Sequence, residues 1–219
     1  MIKKGRILIQ SDFDNTITIG NVSEQIHEKF GPPEWNQIHK EYKQGNMSVE
    51  ESNISSFKNL GYPKCELDIF VEENVKFRKG FLEFYNYIKN CDVDFKIVSS
   101  GVDFYIFFSL KSIGIDKENI SVISGNSNFN DRGIDVQYYD FSGNTISSDF
   151  KLTHTDFHKN QYSKIIYLGD SLTDLKSSYK ADYVFATDKL YEYYVKNNLN
   201  CYEFSNYYEV LTTVKDIIN

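Results

Sequence analysis

The stretch running from Ile7-Leu-Ile-Gln-Ser through Asp12-Phe-Asp14-Asn-Thr16 to Thr18 constrains this chain more than any other. Its apolar run, Ile7–Ile9, is short enough for a buried strand and ends in two carboxylates, Asp12 and Asp14. In an α/β protein the carboxyl end of a strand is where ligands bind. Residues two apart on an extended backbone face the same way, so the carboxylates share one site. Like charges that close repel unless a proton or a cation lies between them, and a metal is the better answer. An acidic turn would also use Asp and Asn here. A calcium loop would not fit: it needs Gly at its sixth position and Glu at its twelfth, and counting from Asp12 those hold Ile17 and Ser23.

The 219 residues suffice for one sizeable core and a smaller domain, and 17 Tyr with 17 Phe supply the apolar mass. A formal charge of −7 and a pI near 5.2 argue against a nucleic-acid or anionic-membrane partner. Cys65, Cys91 and Cys201 are odd in number and unevenly spaced, as in a reduced intracellular protein, so the cytoplasm is the expected location. The start, Met1 to Arg6, is basic, but apolar residues give out at Gln10, which is no signal peptide. No apolar run approaches a membrane span.

After Thr18 the pattern is helical to about Asn74. Asn21 and Glu24 can cap a helix carrying Val22, Ile26 and Phe30, stopped at Gly31. Trp35, Ile38 and Tyr42 mark a second face; Ser48 and Glu51 form a capping-box pattern ahead of a third; Leu67, Phe70 and Val71 mark a fourth. Residues 19–77 therefore read as a helical domain inserted into a core formed by 1–18 and 78–219. The aromatics of the insert are expected mainly to pack its own core. From Phe81 helices alternate with strands at 95–98, 120–124, 165–168, 183–186 and 201–204, with a β-hairpin over 133–148. The expected fold is α/β, a doubly wound, Rossmann-like, mostly parallel sheet with a small inserted helical cap domain and a β-hairpin. Lys151 opens an ill-defined segment in which His154 and His158 read as hydrated loop residues.

Asp12 with Asp14, Ser99, and Asp170 with Asp174 all close strands, and in such a sheet these ends open on one edge. Four carboxylates converging there require a cation. Oxygen-only ligands suit magnesium, and no Cys or His pair near these ends suggests zinc. A carboxylate beside magnesium, with hydroxyl donors and one lysine, is equipped to accept a phosphoryl group.

These residues resemble the haloacid dehalogenase-like phosphatase superfamily: Asp12-Phe-Asp14-Asn-Thr16 looks like its D-x-D-x-T signature, Ser99 its strand-closing serine, and Gly169-Asp170 to Asp174 its acidic motif. The resemblance implies a nucleophile at Asp12 and a general acid/base at Asp14. It implies magnesium bound by Asp12, Asp170 and the Asp14 carbonyl, with Asp174 in support. Asn15, Thr16, Ser100 and Gly101 would contact the substrate phosphate. Lys151 and Lys159 both qualify as the phosphate-binding lysine, and the spacing from Lys151 to Asp170 is similar to that of the most alike phosphatases, which favours Lys151. The insert and the runs Ser99–Tyr105 and Gly169–Leu175 look like the subgroup of phosphoserine phosphatases and hydroxy-ketomethylthiopentenyl-phosphate phosphatases, the second being the better match. Ser100 departs from the Gly-Gly that many members carry. The expected activity is magnesium-dependent hydrolysis of a small phosphomonoester through an aspartyl-phosphate. Rival readings are a phosphoserine phosphatase and a phosphate-binding or regulatory protein on the same fold. A receiver domain is disfavoured, because the third strand ends in Ser124-Gly125-Asn126 without an Asp. Nothing in the sequence specifies the oligomeric state.

Overall fold

The computed structural model describes residues 6–218. The basic start, Met1 to Gly5, lies outside the described residues. Strand β1 (Ile7–Ser11) forms because its apolar residues are covered on both faces: Leu8 and Ile9 are fully buried, as are Ile165 and Ile166 beside them. After β1 come β2 (Thr18–Ile19), α1 (Val22–Phe30), α2 (Trp35–Lys43), α3 (Val49–Phe57), α4 (Lys64–Asn74) and β3 (Lys76–Phe77). The two short strands pair antiparallel, Thr18 with Phe77 and Ile19 with Lys76, so the chain leaves and rejoins the main sheet at one place. The expected caps are present. Asn21 accepts from the Glu24 amide at 2.9 Å, and Ser48 and Glu51 form a reciprocal capping box.

The remainder comprises α5 (Phe81–Lys89), β4 (Val93–Val102), α6 (Asp103–Ser112), β5 (Ser121–Asn130), β6 (Gly133–Tyr139), β7 (Thr145–Ile146), α7 (Phe150–Lys159), β8 (Lys164–Gly169), α8 (Leu175–Ser178), β9 (Tyr183–Ala186), α9 (Asp188–Lys196), β10 (Tyr202–Glu203) and α10 (Tyr207–Ile218). The eight-stranded sheet has the order β10-β9-β8-β1-β4-β5-β6-β7, parallel from β10 to β5. The chain winds from β1 through β4 to β5, then crosses back to β8 on the other side of β1. Winding reverses at β1, and a doubly wound sheet opens its ligand crevice at such a reversal.

The structure departs from the sequence reading in three places. The hairpin between β6 and β7 is present, with Tyr138 opposite Ile146, but β6 also pairs along its other edge with a long extension of β5. That extension, Gly125 to Asn130, has the composition of a turn and is held as strand by its partner. Strand β4 runs on past Val98 to Val102, with a register shift across Ser99–Gly101. The segment after Lys151 is no loop. It is helix α7, which buries Phe150, Lys151, His154, Thr155 and His158. Those residues follow helical spacing, but four of the five are polar, so no hydrophobic stripe announces the helix. His154 and His158 are accordingly buried and bonded: His158 Nδ1 lies 2.9 Å from Gln10 Oε1, and His154 Nε2 lies 2.9 Å from the Tyr139 carbonyl.

Candidate active site

The carboxyl ends of β1, β4 and β8 bring Asp12, Ser99 and Asp170 to one crevice beneath helices α1 to α3. A cavity of about 600 Å³ opens there, with Asp12, Asp14, Ser99 and Lys151 on its floor and Trp35 and Tyr42 on its roof.

Asp12 is 5% exposed, and its Oδ1 accepts from the Phe13 amide at 2.7 Å. Its Oδ2 faces Lys151 Nζ at 2.7 Å. The lysine is itself buried and also meets Asp174 Oδ1 at 2.7 Å. Burial alone would lower the lysine's pKa, but the two carboxylates outweigh it and hold the ammonium charged well above its ordinary range. Lys159, the rival lysine, lies on the surface paired with Asp182 at 2.9 Å.

Asp14 has partners of its own. Its Oδ1 accepts from the Val22 amide at 2.7 Å, at the start of α1, and its Oδ2 accepts from the Tyr105 hydroxyl at 2.8 Å. Burial, and next the charge of Asp12, push its carboxyl up to about 7. A carboxyl poised there can give or take a proton at neutral pH. Asp170 is raised well above the carboxylate range by burial, then by the charges of Asp174 and Asp12, and accepts from Thr16 Oγ1 at 3.2 Å. Asp12 is likewise raised, mainly by burial.

Asp12, Asp170 and Asp174 place oxygens within 4.8 Å of one another. Three buried carboxyl groups brought this close, with oxygen as the only donor type, suit a hard divalent cation. Asp174 differs from the other two in carrying at least two partners on each oxygen. Oδ1 takes Lys151 and the Tyr167 hydroxyl, and Oδ2 takes the amides of Asp170 and Ser171. It orients the lysine and the Asp170 loop.

The remaining expected residues also gather here. Ser99 is 1% exposed, and its Oγ accepts from the Gly101 amide at 3.1 Å. A Cβ on Gly101 would overlap the Tyr105 hydroxyl and come within 3.0 Å of Asp14 Oδ2, so only glycine fits. Asn15 adopts a left-handed φ of 57° and lines the cavity. Thr16 is buried against Asp170, whereas Ser100 turns its hydroxyl away to Glu50 at 3.0 Å.

Sequence reasoning missed several residues that shape the site. Arg78 donates to the carbonyls of Asn15 and Thr16 and so fixes the loop after β1 from 62 residues away. Tyr105 holds Asp14, and Tyr167 holds Asp174. His27 is buried in the cavity wall, stacked on Trp35 with centroids 5.8 Å apart and edge-on to Phe57 at 4.3 Å. Its Nδ1 bonds the Ser23 carbonyl at 2.8 Å, while Nε2 is buried without a well-formed hydrogen bond. The insert's aromatics divide: Phe57 is fully buried and Phe30 packs on Tyr62 and Phe70, but Trp35 and Tyr42 face the cavity. None of these pairings leaves a mark in the linear sequence beyond the residue types.

A model of the pyrimidine 5'-nucleotidase (UMPH-1) family matches residues 55–184. A 2-hydroxy-3-keto-5-methylthiopentenyl-1-phosphate phosphatase of Bacillus mycoides is 30% identical over 217 residues, covering 97% of both chains. A substrate-bound phosphoserine phosphatase has a similar structure, with TM-score 0.66, 18% identity, and coverage of 95% of this chain and 98% of that one. A cytosolic 5'-nucleotidase IIIB bound to cytidine superposes with TM-score 0.63 and 16% identity, over 96% of this chain and 86% of the other. With its fold, its crevice of acidic residues and a full-length relative in agreement, the chain belongs to the haloacid dehalogenase-like phosphatases, in the branch of the methionine-salvage phosphatase.

Proposed function

We propose that this phosphatase is magnesium-dependent, that it works through an aspartyl-phosphate on Asp12, and that its substrate resembles the enol phosphate of methionine salvage. The single observation that carries the reading is the contact of Asp12 Oδ2 with Lys151 in a buried, carboxylate-rich crevice. Asp12 attacks phosphorus in line with the leaving oxygen, and that oxygen departs with the proton of Asp14. Water then attacks the aspartyl-phosphate after losing a proton to Asp14, which restores both carboxyls and releases inorganic phosphate. Lys151 and the Ser99 hydroxyl hold the phosphoryl oxygens as charge moves onto them. Asp12, Asp170 and the Asp14 carbonyl would hold the magnesium, which supplies charge neutralisation at the phosphoryl group. Helices α1 to α4 serve as a cap that excludes water. The three free cysteines agree with a reducing compartment such as the cytoplasm, and among the described residues no helix is long and apolar enough to cross a membrane.

The cavity roof supports the choice of substrate. A phosphoserine site would be expected to carry a guanidinium for the α-carboxylate. No Arg occurs between Arg6 and Arg78, and the roof lysine, Lys43, is already paired with Glu24 at 2.9 Å. Trp35, Tyr42 and His27 offer an apolar, flat lining instead. The nucleotidase match starts at residue 55 and leaves this roof outside it, whereas the methionine-salvage relative covers the roof as well. The test is phosphate release with magnesium over a panel holding the enol phosphate, phosphoserine, UMP and CMP. The enol phosphate is expected to give the highest kcat/KM. A higher value for phosphoserine or a pyrimidine nucleotide would reassign the substrate.

A further inference from the structure

Helix α3 turns a polar face inward: Glu50, Ser52, Asn53 and Ser56 are all buried. The two that reach the main sheet both meet one segment, Ser100, at the bulged end of β4. Glu50 Oε1 accepts from Ser100 Oγ at 3.0 Å, and Asn53 Nδ2 donates to the Ser100 carbonyl at 2.8 Å. The Tyr138 hydroxyl donates to the same carbonyl, and Asn53 Nδ2 lies 3.0 Å from that hydroxyl. On the other side Asn53 Oδ1 accepts from Ser23 in α1 at 3.3 Å.

Glu50 has a second partner. The start of α7 lacks a cap of its own, since Asp149 sits in the left-handed region at φ 56° and its side chain makes no capping bond. The buried Phe150 amide donates instead to Glu50 Oε1 at 3.3 Å. A carboxylate is the favoured group at a helix N-terminus, because unpaired amides and the helix dipole both point there. The residue after Phe150 is Lys151.

We propose that Glu50 is a positioning residue that ties the cap to the chemistry: by accepting from Ser100 and Phe150 together, it makes seating of α3 and placement of the Lys151 helix one event. When the cap is seated, the corner that presents Ser99 and Gly101 is braced through Ser100, and α7 acquires its N-terminal acceptor. When α3 lifts, both supports are lost together. A substrate that favours the seated cap through Trp35 and Tyr42 thereby also favours a correctly placed Lys151. The inference takes from the preceding reading only that the cavity is where the phosphoester reacts.

Trp35 is the chain's single tryptophan and lies in the cavity roof, so acrylamide quenching of its fluorescence reads cap seating independently of turnover. Kinetics with p-nitrophenyl phosphate and magnesium read the placement of Lys151. Glu50→Ala is expected to lower kcat at least about tenfold, to raise KM as the seated fraction falls, and to raise quenching of Trp35. Glu50→Gln keeps the acceptor oxygen and is expected to recover most of both. Ser100→Ala should fall between them. A purely structural Glu50 would lower the melting temperature and leave kcat of the folded enzyme, KM and quenching unchanged, and that result overturns the proposal. A folded Glu50→Gln variant as impaired as Glu50→Ala also overturns it. Should Glu50→Ala not fold, Ser100→Ala decides, and wild-type kcat and quenching in that variant count against the proposal. A failure of the phosphatase reading itself would show as no p-nitrophenyl phosphate turnover in the wild type or any variant, with the quenching order still reporting on cap seating, so the two readings fail separately.

Discussion

Lys151 meets Asp12 at 2.7 Å across 139 positions of sequence, and neither residue is more than 5% exposed. A buried ion pair of this kind is costly to assemble and strongly destabilised when one member is removed, so its place beside a cavity speaks for chemistry. Lys151→Ala is expected to cut kcat/KM by about 10²–10³-fold, because a charge acting on the transition state is lost. Lys159→Ala, which breaks only a surface pair with Asp182, should stay within about twofold. Steady-state kinetics of the two variants side by side make the check. The reverse order would move the phosphate-binding role to Lys159.

Magnesium should bind without substrate and stabilise the fold. At a hundred times its Kd, a ligand of the native state alone adds about 2.7 kcal/mol, enough to raise the melting temperature visibly. Asp170→Asn should abolish that rise, because it removes a ligand and part of the mutual repulsion. A melting temperature insensitive to magnesium in the wild-type protein would refute the cation site.

Acid should destabilise the protein through its buried imidazoles. Burial lowers His27 to about 4 and His158 to about 3, against about 6.5 when unfolded. Between those values the unfolded chain takes up protons that the folded one refuses. The imidazole contribution to stability is therefore full above pH 6.5 and falls as the pH drops toward 3, while Asp14, raised to about 7, contributes with the opposite sign over the same window. In urea midpoints measured at saturating magnesium, His158→Gln, which retains a donor toward Gln10, should lose less stability than the wild type as the pH falls from 6.5. An unchanged slope in the variant would contradict the assignment.

The roof should set specificity. Trp35→Ala is expected to raise KM for the enol phosphate by about tenfold through lost apolar contact, with kcat little changed and little effect on phosphoserine. Equal losses for both substrates would show that Trp35 supports the cap and does not choose the substrate.

The sheet and the floor of the site were legible because each strand carries its own announcement, an apolar run that stops at Asp12, Ser99 or Asp170. Capping residues such as Asn21 and Ser48 were legible for the same reason, since their partners lie three residues away. What stayed hidden depends on distant partners. Lys151 was legible through the family resemblance, but the helix α7 that carries it was not, because its inward face, with His154 and His158, reads as polar surface. Glu50 looks like a solvated helix residue until Ser100 and Phe150 come to it from 50 and 100 positions away. The turn-like tail of β5 becomes strand only because β6 lies beside it.

The most direct test of the Asp12 chemistry is to trap the acyl-phosphate. Enzyme turning over p-nitrophenyl phosphate with magnesium is quenched in acid and treated with borohydride, which reduces an aspartyl-phosphate to homoserine, and the peptides are mapped by mass. Homoserine at position 12, absent when magnesium is chelated and absent in Asp12→Asn, is the predicted result. Homoserine at position 14, or sustained turnover by Asp12→Asn, would contradict it.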